Sequence, residues 1–251
     1  MNVLLPEFLK YRRTFTRRLI LIAPLFFIFF ALLQKLFIPA GYLGSWQLIL
    51  DLVFNWWPVI FIPMGSALLS VLAASHEKKG GNYRSLRMRD ISMFHLWIAK
   101  IAVMGVHTLI STLVLIVSTV LSGIIAGGGK IPWSQIFAAA FTVWVVSLAI
   151  IPLQLWMATW KGTLGSMVMG FTGMITGVLA ASEPYWIYVP WSWPTRLMSP
   201  IIGVHPNGTL LEPDSPLLDA SVIPVGIIVS LITLLIFTCL TAIWFDRREV
   251  G

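Results

Sequence analysis

VIPVGIIVSLITLLIFTCLTAIWF, residues 222–245, holds no charged side chain. A run of about 20 predominantly apolar residues is what a helix needs to cross the hydrocarbon core of a bilayer. Five further runs of this kind lie upstream, at 19–38, 54–74, 97–125, 136–157 and 163–181. The fifth, 163–181, is the shortest and is interrupted by Gly165, Gly170, Gly173 and Gly177. Composition agrees: 58% of the chain is hydrophobic, 11% is charged, and the mean hydropathy is +0.88. A water-soluble domain is roughly 45–50% apolar and about 25% charged. The reading is an all-α membrane protein with six transmembrane helices, a single domain over residues 1–251.

The basic residues fix an expected orientation. With the N-terminus inside, the inner segments hold Lys10, Arg12, Arg13, Arg17, Arg18, Lys78, Lys79, Arg84, Arg87, Arg89, Lys100, Lys161, Arg247 and Arg248. The outer side keeps Lys35, Lys130 and Arg196. Lys and Arg concentrate in short cytoplasmic loops, so both termini are expected in the cytoplasm, in a cell (plasma) membrane. The net charge of +7 then reports topology and anionic lipid, not nucleic acid. Basic residues before an apolar run also describe a secretory signal peptide, but this run is too long for a typical apolar signal core. An uncleaved first crossing is expected, with Pro39-Ala-Gly41 a poor cleavage site.

Outside the apolar runs, residues 1–18 place Leu4, Phe8, Tyr11 and Phe15 on one helical face and Lys10, Arg13 and Arg17 opposite. A basic amphipathic helix of this type lies in the membrane interface. Residues 75–96 are the most charged stretch, with room for a short helix carrying Leu86, Ile91 and Phe94. The outer segment 182–221 packs Tyr185, Trp186, Tyr188, Trp191 and Trp193 among three prolines. Trp and Tyr favour the headgroup layer, which suits an interfacial anchor, a re-entrant turn, or a substrate-facing surface. Ser166, Gly170, Gly173 and Gly177 form a stripe of small residues that lets a second helix approach closely, from this chain or another subunit.

Catalytic chemistry is not evident. Gly127-Gly-Gly-Lys130 lacks the first glycine and the Ser or Thr of a phosphate loop, so no nucleotide site is read in this chain. The histidines form no zinc motif, and the single cysteine, Cys239, allows neither an internal disulfide nor a cysteine-based metal site. No buried Asp or Glu is expected inside the crossings. Ion-coupled transporters usually carry such a group, so energy is expected from elsewhere. His107 and Gln154, the most polar residues at depth, are expected to bond neighbouring helices.

The layout of interfacial helix, six crossings, charged loop after the second and long outer loop before the sixth resembles the permease subunits of ABC-2 type exporters. Trp57-Pro58, Glu77-Lys78-Lys79, Tyr83-Arg84-Ser85-Leu86 and Lys100 make it similar, within that group, to the lantibiotic-immunity permeases, relatives of bacitracin-resistance permeases found mainly in Gram-positive bacteria. The resemblance in layout covers the whole chain, and its motifs are short. It implies that residues 75–96 form a coupling loop docking on a separate ATPase, with Glu77, Lys78, Arg84, Leu86, Arg87 and Asp90 as the contact region. The short loop at Lys161-Gly162 would contribute less. Gly80-Gly81 followed by three arginines departs from the family pattern and leaves the docking residues open. The resemblance further implies two ATP-binding subunits holding ATP and Mg, a second permease, related or identical, and a lantibiotic or bacteriocin-like peptide as cargo. Export of another amphipathic drug or lipid, and a non-transporting peptide sensor, stay as alternatives.

Overall fold

The structure, a computed structural model, describes residues 4–12, 14–37, 45–79 and 92–248. Among these residues the regular elements are helical, and the one extended pairing is an isolated bridge between Val204 and Leu210. A short helix α1 (Leu4–Leu9) precedes α2 (Phe15–Ile22) and α3 (Phe26–Phe37). Helices α4 (Trp46–Trp56) and α5 (Ile62–Lys79) follow, then α6 (Met93–Ala126), α7 (Trp133–Ser147) and α8 (Ile150–Ala181). The chain closes with α9 (Ser192–Ile202) and α10 (Val222–Arg247).

Four of the crossings are Phe15–Phe37, Trp46–Lys78, Met93–Ala126 and Val222–Arg247. The remaining two share α8. Leu148 and Ala149 keep right-handed helical angles, so α7 runs on into the first part of α8. At Gly162 the backbone takes φ 72° and ψ −157°, and the chain reverses. Gln154 lies against Ser166 and Gly170, whereas residues sixteen apart on an unbroken helix stand about 24 Å from each other. The fourth and fifth crossings are therefore an antiparallel hairpin, and the total is six.

Three expectations need correction. The amphipathic segment 1–18 is not one helix: Thr14 is extended, at φ −99° and ψ 162°, and only α1 stands apart from the first crossing. The second crossing starts at Trp46, not 54, because Ser45 caps it by accepting from Leu48 N. That extension brings Asp51, 7% exposed, inside a membrane-crossing helix, against the expectation of no buried acid there.

Gln47, Asp51 and Asn55 are four apart on α4 and form a polar stripe. Gln47 donates to Asp51 (3.3 Å) and to Ile202 O (2.7 Å), and Asn55 donates to His205 O and Pro206 O. This stripe clamps the end of α9 and the turn after it. Helix α9 is buried from Ser192 to Ser199 and packs on α4, α7, α8 and α10. The segment that follows the fifth crossing thus folds back into the bundle, with α9 buried in it.

Candidate coupling region and substrate cavity

At the end of the bundle that carries Lys161 and Arg247, four charges come together among the described residues. The Glu7 carboxylate on α1 accepts from Lys10 Nζ (2.5 Å) and from Lys100 Nζ (2.8 Å). The Glu77 carboxylate, in the last turns of α5, also accepts from both ammonium groups. Charges alternate around a closed ring of net zero. Glu7, Glu77 and Lys100 are 3%, 7% and 5% exposed. Ions taken out of water are tolerated when each finds opposite charge and its remaining hydrogen-bonding capacity is met. Burial pulls the Lys10 ammonium down, but its hydrogen bonds to Glu7 and Glu77 outweigh this and hold it above the ordinary lysine value of 10.5.

The ring ties three elements that sequence order separates: α1 with the turn after it, the end of the second crossing and the start of the third. Beside it Tyr11 stacks on His107, with ring centroids 4.1 Å apart. His107 bonds Val103 O within its own helix, not a neighbouring helix. Trp97, on the same helix as Lys100, is stacked on Phe245 at 4.5 Å and donates to Thr241 (2.9 Å), tying α6 to α10.

Of the expected docking residues, Lys78 is exposed, whereas Glu77 is turned into the ring and offers no free carboxylate. Arg84, Leu86, Arg87 and Asp90 lie outside the described residues, as does Pro39-Ala-Gly41. The sequence reading missed the ring. Its signal was available, since Lys100 is a cation inside an apolar helix and needs an acid, and Glu77 ends the adjacent helix.

A second feature opens within the bundle. The first crossing is interrupted by a 3-10 turn at Ala23–Leu25, and the second by a π-helical segment at Trp57–Phe61. Pro24 and Pro58 cause these breaks, because a proline supplies no N–H and clashes with the preceding turn. Next to them lies a cavity of about 330 Å³, walled by Ala23, Trp57, Phe61, Met64, Trp144 and Ile151 among others. None of its lining residues is ionisable. Its hydroxyls are Ser66, Thr108, Ser111, Thr112 and Ser147, and each donates to a backbone carbonyl. What they leave to a visitor is lone pairs. The cavity suits an apolar body with a few N–H donors.

The stripe of small residues is filled from within this chain. Ser166 donates to Ala67 O (3.2 Å), and a Cβ on Gly170 would stand 2.8 Å from Ala67 Cβ. With its amide turned to satisfy both neighbours, Gln154 donates to Ser166 Oγ (3.1 Å) and accepts from Gly170 N (3.3 Å), joining the two arms of the hairpin. Gly173 and Gly177 face Trp191. The five aromatics of 185–193 do not share one surface: Trp193 and Trp186 are buried core residues, while Tyr185 and Tyr188 are 52% and 83% exposed. Trp193 donates to Ile187 O (3.0 Å), which is why it turns inward.

Six apolar crossings, the buried helix α9 and an interior cavity define a multi-pass membrane protein built as a helical bundle. The sequence model described as ABC-2 family transporter protein matches residues 3–177, well over half of the chain. The chain belongs to the ABC-2 family of transporter proteins, as a membrane permease subunit whose ATP-binding partner is a separate ABC subunit. No curated protein and no solved structure matches the chain.

Proposed function

We propose that this chain is the membrane-spanning subunit of an ABC exporter that expels lantibiotic or bacteriocin-like peptides from the membrane, giving immunity or resistance. The observation that carries the reading is the cavity at the two proline breaks, apolar and free of ionisable lining groups, in a chain of this family. A coupled proton or ion needs an ionisable group in the pathway, so this cavity fits a carrier driven from outside itself. Its volume accepts an amphipathic segment of a peptide and not the whole peptide.

The permease works with two ATP-binding subunits, which hold ATP and Mg, and with a second permease, related or identical. Both termini face the cytoplasm. Closure of the ATPase pair presses on the segment between α5 and α6, through Lys78, Arg84, Leu86, Arg87 and Asp90. The thrust enters the bundle at the end of α5, where Glu77 holds α1 and α6 by opposite charge. A displaced α5 therefore moves the π-helical wall of the cavity, and the bound segment is released outward. No covalent bond is made or broken in this chain.

Two comparisons test the reading. Cells carrying the intact operon should resist lantibiotics better than cells lacking this gene, with unchanged sensitivity to lipophilic drugs. Equal protection against drugs and none against peptides would replace the peptide with another amphipathic cargo. Reversing Arg84 and Arg87 together to glutamate should leave insertion intact while removing the stimulation of ATP hydrolysis by the permease. Unchanged coupling in that variant would overturn the assignment of the coupling segment.

A further inference from the structure

A second cavity, of about 320 Å³, lies outside the bundle core, where the turn after α1 and the start of α2 lean on α6. Its walls are Phe8, Leu9, Ile20, Leu21 and Ile110, with Arg12, Arg17, Tyr11 and His107 supplying the polar edge. No carboxylate lines it. Glu7, on the neighbouring helix, is committed to Lys10 and Lys100, and among the described residues neither Arg12 nor Arg17 makes an ion pair. Two uncompensated guanidinium groups therefore stand over an apolar cleft. His107 adds a fixed edge: Val103 O can only accept, so Nδ1 carries the proton. No protein partner meets Nε2 among the described residues.

Depth decides what such a cleft meets. Helix α6 has 34 residues, about 51 Å at about 1.5 Å per residue, well beyond the ~30 Å of hydrocarbon. From His107 to the helix end at Ala126, beside exposed Lys130, the rise is about 29 Å. His107 and the two arginines thus sit at the hydrocarbon boundary, where lipid phosphates begin. Guanidinium groups recognise phosphate through paired N–H donors, and apolar walls accept an acyl chain.

We propose that this cleft binds one anionic phospholipid, its phosphate held by Arg12 and Arg17 and its acyl chain laid between Phe8 and Ile110. The bound lipid wedges α1 against α6 beside the charge ring. The site does not depend on what the permease exports.

The test uses the full-length protein in nanodiscs containing phosphatidylglycerol or phosphatidylcholine, with retained lipid read by native mass spectrometry. One phosphatidylglycerol should stay bound, and phosphatidylcholine should not. R12Q/R17Q should weaken retention by on the order of thirtyfold, at about a fivefold loss per basic residue near an anionic surface. Arg18, absent from the cleft walls, supplies the control: R18Q should cost no more than the about fivefold of one basic residue near an anionic surface. Ile110→Trp keeps every charge but fills the cleft, and it too should release the lipid, which keeps the test decisive if the double variant fails to fold. Equal retention of the two lipids, unchanged retention in I110W, or an R18Q loss matching the double variant would overturn the site. Displacement of the lipid by inorganic phosphate at matched concentration would assign the arginines to a free anion instead and would equally overturn it.

Discussion

Glu77 is the residue on which the sequence and the structure part most usefully. Read along the chain it opens a charged loop, yet the residue is 7% exposed and its carboxylate binds two lysines, one in the turn after α1 and one on α6. Removing one partner from such a ring leaves the others unbalanced, at a cost of about 3–5 kcal/mol. Glu77→Gln and Lys100→Met should each lower the melting temperature of the purified protein strongly. The double variant should lose less than the two single losses added together, because it removes opposite charges as a pair. Additive losses in that cycle would show that the two residues do not interact. The pH dependence has a definite sign. A lysine held above its ordinary value contributes stability that is complete below 10.5 and lost as pH rises through its higher folded value. Lys10→Met should accordingly flatten the alkaline fall in melting temperature seen in the native protein above pH 10.5. A fall of the same size in the variant would remove Lys10 from the account.

Among the elements, the hairpin of the fourth and fifth crossings shows what patterning can and cannot deliver. Residues 163–181 were legible as a separate crossing, because the apolar run stops at Lys161-Gly162. Gly162 then adopts a left-handed angle that any side chain resists. Gly162→Ala should destabilise the protein by about 1–3 kcal/mol without altering the cavity, a loss readable as a lower melting temperature. No loss would mean that the reversal is not anchored there. Gly177 is demanded by close approach: a Cβ there would lie 2.6 Å from Trp191 O, a backbone atom that cannot swing away. The buried helix α9, which Trp191 precedes, was only partly legible. Its prolines and aromatics suggested a re-entrant turn, an anchor or a substrate face, and helical propensity could not choose among them. Its place in the bundle rests on Gln47 and Asn55, whose amides lie more than a hundred residues away and hold the Ile202 carbonyl at the end of α9 and the His205 and Pro206 carbonyls after it. Gly65 offers a probe of the cavity, since a Cβ there meets nothing within 4 Å. Gly65→Leu should insert and fold normally while cutting peptide export several-fold, and full export would detach the cavity from the pathway.

For the whole molecule, the crossings were readable because apolar length against bilayer thickness is a one-dimensional signal. The ring at one end and the cavity between the two proline breaks were not, because each depends on which faces of distant helices meet. Pro24 and Pro58 hinted at the breaks, but a proline in an apolar run does not say whether its neighbours close the gap or leave space. Joined together, these features describe a bundle with a buried charge ring at one end and an apolar chamber some way along α5. The most direct test is to reconstitute the permease with its companion ATP-hydrolysing subunit in liposomes loaded with a fluorescent lantibiotic. The account predicts that ATP drives the peptide out of the membrane and that the peptide accelerates hydrolysis only when this chain is present. Hydrolysis indifferent to the permease, with peptide left in the membrane under ATP, would contradict it.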